Sequence, residues 1–175
     1  MHDLKLYAKS EPLVTLLDHL LKTLEMVKRI VEVIRNHDPD LVRSALLASA
    51  LHDIGKADKT FQDQLLGKAK KQSNPHPLMA MPIVDSLLRD ILTDYHRCIV
   101  LLAIASHHTP LRSDLYENKY GVNLYVEHLD ELKFIIRSIS GELGINLKTD
   151  SLDIFTKPLE ILIKAKHYIT NKVED

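Results

Sequence analysis

Apolar residues recur every three or four positions over most of this chain, which is the spacing of α-helices that bury one face. The longest series covers residues 13–34, and we expect one helix there, capped by Ser10. Asp38-Pro39 is typical of a second helix start, and Gly55 of the cap that ends this helix. The same pattern predicts further helices near residues 58–66, 78–92, 94–108, 126–143 and 158–171. The sequence therefore predicts an all-α fold.

The chain shows no sign of a boundary between domains. Its 175 residues suit one hydrophobic core, and neither an internal repeat nor a low-complexity segment interrupts the helical pattern. The stretch from Leu111 to Tyr125 has the least clear pattern, and we expect it to run over the surface. We therefore predict a single domain that comprises residues 1–175.

Composition and charge exclude several classes of protein. No apolar run is long enough to span a membrane, and the polar start of the chain does not resemble a secretion signal. The single cysteine, Cys98, lies in an apolar stretch, which favours a buried thiol over a nucleophile. A net charge of −1 argues against a surface that is basic throughout, as a general nucleic-acid binder would have. A cytoplasmic protein without a membrane partner fits these features.

Histidine is unusually frequent, with ten in 175 residues. It is also the commonest side-chain ligand of transition metals. One histidine lies inside the first predicted helix, and four others lie at helix ends, where side chains from different helices can converge. Together with one acidic neighbour, the candidate ligands are His19, His52, Asp53, His76, His107 and His108.

A set of imidazoles with one carboxylate favours a transition-metal site. Imidazole suits Mn, Fe, Co, Ni and Zn, carboxylate also suits Mg, and one carboxylate can bridge two ions. Divalent ions of this kind offset the charge of a phosphodiester and lower the pKa of a bound water. A lone histidine on a helix is nevertheless more often a packed or surface residue, and a His-Asp pair often occurs by chance. The residue pattern alone leaves both interpretations open.

The segment around the His-Asp pair resembles a known motif. Residues 51–57, Leu-His-Asp-Ile-Gly-Lys-Ala, resemble the core motif of the HD superfamily of metal-dependent phosphohydrolases. The continuation to Phe61-Gln62 is similar to the HD nuclease of type I CRISPR interference, which occurs fused to a helicase or as a separate subunit. The resemblance covers residues 13–110 and implies an HD-domain helical bundle.

The resemblance extends to the other candidate histidines and implies roles for them. The double histidine lies in Ile104–His108, which is similar to a segment of the same family. Asp53 would bridge two metal ions. The first ion would be held by His19, His52, Asp53 and an aspartate late in the chain. The second would be held by Asp53, His76, His107 and His108.

Two lysines affect this assignment. With Asp53, Lys56 would be a catalytic residue that contacts the scissile phosphate or orients a ligand, although a solvated lysine after a helix cap is the alternative. The family's late aspartate aligns with Lys166, whose ammonium would repel a cation. Either Asp150 or Asp153 supplies the ligand instead, or the first site is weakened, or Lys166 replaces a cation by pairing with Asp53. We favour one well-formed site beside one weakened site.

The function that the resemblance implies is a metal-dependent nuclease that degrades single-stranded DNA in CRISPR antiviral defence. No Gly-x-x-x-x-Gly-Lys-Ser/Thr loop occurs in the chain, so a separate helicase subunit and the surveillance complex would have to supply unwound DNA. Two alternatives remain open. The HD motif also permits a phosphohydrolase of free nucleotides. Lys166 favours a degenerate HD module that binds metal or a partner without catalysis.

Overall fold

The computed structural model describes residues 6–34, 38–69, 75–108 and 124–174. Within these ranges helices dominate, and the strands form one small hairpin, which confirms the predicted all-α class. The elements in chain order are β1 (Tyr7–Ser10), β2 (Leu13–Thr15), α1 (Leu16–Val33), α2 (Pro39–Leu51), a 3₁₀ helix (Ile54–Ala57), α3 (Lys59–Leu65), α4 (His76–Met79), α5 (Met81–Leu88), α6 (Asp94–Ser106), α7 (Leu129–Leu143) and α8 (Pro158–Glu174).

A β-hairpin stands where the start of the first helix was predicted. Strands β1 and β2 pair antiparallel, with Ser10 opposite Leu13. The α1 helix begins after Thr15, whose side chain accepts a hydrogen bond from the Asp18 amide at 3.1 Å. The β-branched residues Val14 and Thr15 favour extended backbone. The first residues of the apolar series therefore form a strand, and the helix begins after them. The prediction that Ser10 caps the helix is therefore wrong.

The second helix starts as predicted but ends earlier. The Asp38 side chain caps α2 by accepting a hydrogen bond from the Asp40 amide at 2.9 Å. The helix ends at Leu51, and Gly55 lies buried inside the 3₁₀ helix, so the prediction that Gly55 caps α2 is wrong. A β-carbon at Gly55 would lie 2.0 Å from the His76 carbonyl oxygen. Glycine is required here because the 3₁₀ helix and α4 approach each other so closely.

The remaining helices lie close to their predicted positions. Asp58 caps α3 by accepting a hydrogen bond from the Thr60 amide at 3.0 Å. The helix predicted over residues 78–92 is divided into α4 and α5, which meet at Ala80. Of the predicted surface stretch, Leu111 and the residues up to 123 lie outside the described residues.

The helices enclose one apolar core. The most extensive helix–helix contacts join α1 to α2, α2 to α6, and α6 to α8. Leu20, Leu51 and Leu101, from α1, α2 and α6, are at most 1% exposed. Cys98 is buried on α6, and burial raises the pKa of its thiol, which supports the predicted core cysteine. Among the described helices, none is both long and apolar enough to cross a membrane.

Candidate metal centre

Five histidine side chains surround one buried carboxylate. Asp53 follows α2 and is 2% exposed. The imidazoles come from the first turn of α1, the end of α2, the start of α4 and the end of α6, and each presents its Nε2 atom to the carboxylate or to a neighbouring imidazole. These histidines are His19, His52, His76, His107 and His108. The structure thus brings together all six candidate ligands.

The Oδ2 atom of Asp53 faces one group of donors. It lies 2.7 Å from His19 Nε2 and 3.3 Å from His52 Nε2. The Lys56 ammonium is a third neighbour, with Nζ 2.8 Å from Oδ2. We call His19, His52 and Asp53 the first cluster; their three ligand atoms lie within 4.8 Å of one another.

The Oδ1 atom faces the other group. His76 Nε2 lies 2.9 Å from Oδ1, and His107 Nε2 lies 3.2 Å from it. His108 Nε2 lies 3.1 Å from His76 Nε2. These three histidines and Asp53 form the second cluster, whose four ligand atoms lie within 4.8 Å of one another. Because each oxygen of Asp53 faces a different cluster, the carboxylate is placed to bridge two ions.

Backbone carbonyls orient two of the imidazoles. His52 Nδ1 lies 2.8 Å from the Ser49 carbonyl oxygen, and His107 Nδ1 lies 2.6 Å from the Ile104 carbonyl oxygen. Because a carbonyl only accepts, each Nδ1 donates, so each Nε2 donates to Asp53 when the ring is protonated and directs a lone pair at it when the ring is neutral. An Nε2 lone pair that faces a carboxylate oxygen requires a proton or a metal ion between the two atoms. This set of ligand atoms therefore fits a cation. Neither carbonyl was predicted, although each lies three residues before a histidine at a helix end.

The histidines keep Asp53 ionised. Burial works to raise the pKa of its carboxyl group, but hydrogen bonds from the surrounding imidazoles, His107 foremost, hold that pKa far below its usual range. Burial lowers the pKa of His19 and, with the charge of neighbouring imidazoles, that of His108. Burial also works to lower the pKa of His107, but its hydrogen bond to Asp53 prevails and raises it. An anion beside neutral imidazoles is the state that binds a metal cation.

Packing of the helices places these donors. His19 is adjacent to the fully buried Leu20, on the part of α1 that faces the core. His76 opens α4, which approaches the 3₁₀ helix closely at Gly55. His107 is the C-cap of α6. The ends of helices distant in sequence therefore meet around one carboxylate.

Comparison with protein families agrees with this geometry. Residues 9–132 match the family described as Cas3, HD domain. This chain belongs to that family. A "Putative CRISPR-associated nuclease/helicase Cas3" of Methanocaldococcus jannaschii is 31% identical over 130 residues, which are 68% of this chain and 18% of that protein. A protein of the same description from Myxococcus xanthus is 25% identical over 146 residues, which are 78% of this chain and 19% of that protein.

The extent of these matches bears on the site. This HD domain chain spans less than a fifth of the length of the two curated relatives. No solved structure matches it. All six candidate ligands lie inside residues 9–132, whereas Asp150, Asp153 and Lys166 lie outside that range.

In the described residues, the late part of the HD domain adds no fourth donor to the first cluster. Asp153 accepts hydrogen bonds from two backbone amides of its own loop, at 2.9 and 3.0 Å. Asp150 is exposed, and neither aspartate belongs to either cluster. Lys166 is exposed on α8, one residue after the buried Ala165. The first cluster therefore has three described donors where the family resemblance implies four.

Lys56 is a buried lysine rather than a solvated one. It is 8% exposed, and its ammonium donates to the Ala8 carbonyl oxygen at 3.3 Å in addition to contacting Asp53. The half-buried Phe61 packs beside it, with the ring centroid 5.5 Å from Lys56 Nζ and 5.4 Å from the centre of the His76 ring. The ammonium is thus enclosed at the edge of the first cluster.

Proposed function

We propose that this HD domain is a metal-dependent nuclease that cleaves single-stranded DNA in CRISPR antiviral defence. The observation that carries the proposal is one buried carboxylate between two groups of imidazole Nε2 atoms. Such a donor set suits divalent transition metals, and these ions assist the hydrolysis of phosphodiesters. The descriptions of both relatives as nuclease/helicase support the same reaction class.

The two clusters are unequal as metal sites. The second cluster has four donors and suits Mn, Fe, Co, Ni or Zn, while its carboxylate also accepts Mg. The first cluster has three donors. The Lys56 ammonium lies 2.8 Å from Asp53 Oδ2, the oxygen that also faces His19 and His52. Because an ammonium at this distance repels a divalent cation, we propose one well-formed site and one weakened site.

The chain's own residues would hold the ions and the substrate. Bound ions would supply charge compensation for the phosphate and a lower pKa for water. Asp53 would hold ions through both oxygens, and Lys56 would stabilise negative charge on the phosphate oxygens. His108 is exposed whereas the other four imidazoles are partly buried, so we propose that DNA enters from the side of His108.

We propose that a separate helicase subunit and the surveillance complex supply unwound DNA in the cytoplasm. The sequence contains no phosphate-binding loop of the kind that helicases use. The relatives whose descriptions include a helicase are more than five times as long as their matched segments. Helicase activity supplied by a partner would complement this HD domain.

A non-catalytic HD module that binds one metal ion is the second candidate. It is favoured by the three-donor first cluster and by Lys166 in the position of the family's late aspartate. Hydrolysis of the two-metal type requires both ions. A first cluster that never binds its ion would leave metal binding without cleavage.

The substrate is tested by offering several phosphate esters to the wild-type protein. End-labelled single strands, the matching duplex and free nucleotides are incubated with Mn²⁺, Ni²⁺, Co²⁺ or Mg²⁺. The proposal predicts fragments from the single strand that EDTA abolishes, few from the duplex, and no phosphate from nucleotides. Nucleotide hydrolysis without strand cleavage would replace the nuclease by a nucleotide phosphohydrolase. Metal binding without any hydrolysis would support the non-catalytic module.

A further inference from the structure

A buried glutamine connects the hairpin to the backbone of Lys56. Gln62 lies on α3 and is 6% exposed. Its Oε1 atom accepts a hydrogen bond from the Tyr7 amide at 3.1 Å, and its Nε2 atom donates to the Tyr7 carbonyl at 2.9 Å. The same Nε2 atom donates to the Lys56 carbonyl at 2.7 Å. Both donor hydrogens and the acceptor of the amide are therefore used in joining β1 to the HD motif.

The strand that Gln62 holds also determines where the Lys56 ammonium lies. Ala8 follows Tyr7 in β1, is 3% exposed, and accepts a hydrogen bond from Lys56 Nζ at 3.3 Å. Gln62 thus fixes Lys56 at two points, its backbone carbonyl directly and its ammonium through β1. This ammonium also contacts the Oδ2 atom of Asp53, at 2.8 Å.

We propose that Gln62 is a positioning residue that keeps the Lys56 ammonium on the Asp53 oxygen of the first cluster. At that position the ammonium opposes a divalent ion at the same oxygen, because like charges at this distance repel. Gln62 thereby lowers the affinity of the first cluster for a metal ion and keeps Lys56 at the site of hydrolysis. This inference rests on the proposed metal binding and deepens it.

A purely structural role for Gln62 predicts a different change in metal binding. If its hydrogen bonds only hold the fold together, their loss would leave both clusters unchanged or weaken them. If they position Lys56, their loss frees Oδ2 and strengthens the first cluster alone. The second ion to bind is the one at the weaker first cluster. A higher affinity for this ion indicates a positioning role for Gln62, and an unchanged or lower affinity indicates a purely structural role.

Titration with Mn²⁺ alone, followed by the electron paramagnetic resonance signal of the free ion, measures both binding steps. Gln62→Met removes the amide and keeps an unbranched side chain. We expect unchanged first-step binding and a second-step dissociation constant lower by about threefold to tenfold, the effect of one ordinary hydrogen bond. Lys56→Met should lower the dissociation constant of the second step by at least as much. The matched control, Gln64→Met, changes an exposed glutamine of α3 and should alter neither step.

The outcomes distinguish this inference from the proposed function. A folded Gln62→Met protein whose second-step affinity equals or falls below the wild-type value overturns the positioning role. If Gln62→Met does not fold, Glu131→Met provides the same test, because Glu131 Oε1 accepts a hydrogen bond from the Leu6 amide, just before β1, at 2.8 Å. Wild-type protein that binds Mn²⁺ but cleaves no DNA contradicts the nuclease and leaves this comparison valid. Wild-type protein that binds no Mn²⁺ overturns both.

Discussion

At the scale of single residues, the two oxygens of Asp53 differ in their neighbours. Among the described side chains, Oδ1 contacts imidazoles of the second cluster, whereas Oδ2 contacts two imidazoles and the Lys56 ammonium. A divalent ion beside Oδ1 meets lone pairs alone, whereas one beside Oδ2 must also overcome a positive charge. We therefore expect the two clusters to bind metal ions with unequal affinity.

Replacement of Lys166 tests whether α8 supplies the missing position of the first cluster. If Lys166 lies at that cluster, Lys166→Asp adds a carboxylate and removes a positive charge, so the second Mn²⁺ ion should bind about tenfold more tightly. Lys164→Asp makes the same charge change two residues earlier, also at an exposed position of α8. Equal second-step affinities of the two variants in an Mn²⁺ titration would show that Lys166 is not at the site.

Acidification should weaken metal binding at the second cluster. Because the hydrogen bond to Asp53 raises the pKa of His107, protons compete with a metal ion at this ring at a higher pH than at an ordinary imidazole. The lowered pKa of Asp53 means that its carboxylate stays ionised throughout this range. We expect Mn²⁺ affinity to fall about tenfold or more between pH 7.5 and pH 6, as binding measured at constant ionic strength will show. Affinity that is constant down to pH 5 would contradict this ligand set.

At the scale of elements, the contact between the 3₁₀ helix and α4 is the most sensitive to substitution. A β-carbon at Gly55 would lie 2.0 Å from the His76 carbonyl oxygen, a backbone atom that cannot turn aside. Gly55→Ala should therefore reduce the free energy of unfolding by about 1–3 kcal/mol and weaken metal binding, because α4 carries His76. Urea unfolding and Mn²⁺ titration measure the two effects.

Gly141→Ala is the matched control for that substitution. A β-carbon at Gly141, inside α7, would lie more than 4 Å from every atom of the described residues outside the adjacent backbone of its own helix. Alanine there should increase the free energy of unfolding by about 0.5–1 kcal/mol through helix propensity. If Gly55→Ala is as stable as the wild-type protein and binds metal equally well, α4 does not need the close approach of its backbone to residue 55.

The helices were easier to predict from the sequence than the hairpin. Local periodicity and caps such as Asp38 depend on neighbouring residues, so α2 and α3 began where predicted. The hairpin depends on partners far along the chain, since Gln62 and Glu131 hydrogen-bond to the backbone of Tyr7 and Leu6. Periodicity contains no information on such pairs, and residues 13–15, the start of the apolar series, were therefore assigned to the helix.

The same distinction applies to the candidate site. The motif and the positions of the histidines predicted the six candidate ligands, and the structure brings these residues together. The contact of Lys56 with Oδ2, and the hold of Gln62 on Lys56, depend on tertiary packing around the hairpin. These contacts make the clusters unequal, and they required the structure.

At the scale of the whole molecule, metal binding should stabilise the fold, because the ligands come from helices distant in sequence. An ion at a hundred times its dissociation constant adds about 2.7 kcal/mol to the free energy of unfolding. For a chain of this size that corresponds to a rise of roughly 5–10 °C in the melting temperature. Thermal unfolding followed by circular dichroism, with and without Mn²⁺, measures the rise, and EDTA should reverse it. An identical melting temperature with every ion tested would contradict a metal site inside the bundle.

The most direct test compares wild-type protein with Asp53→Asn on end-labelled single-stranded DNA in Mn²⁺. Asparagine keeps the size of Asp53 and removes the charge that faces both clusters. We predict metal-dependent cleavage by the wild-type protein and none by Asp53→Asn, with both proteins folded by circular dichroism. Cleavage at the wild-type rate by Asp53→Asn would contradict a nuclease centred on this carboxylate.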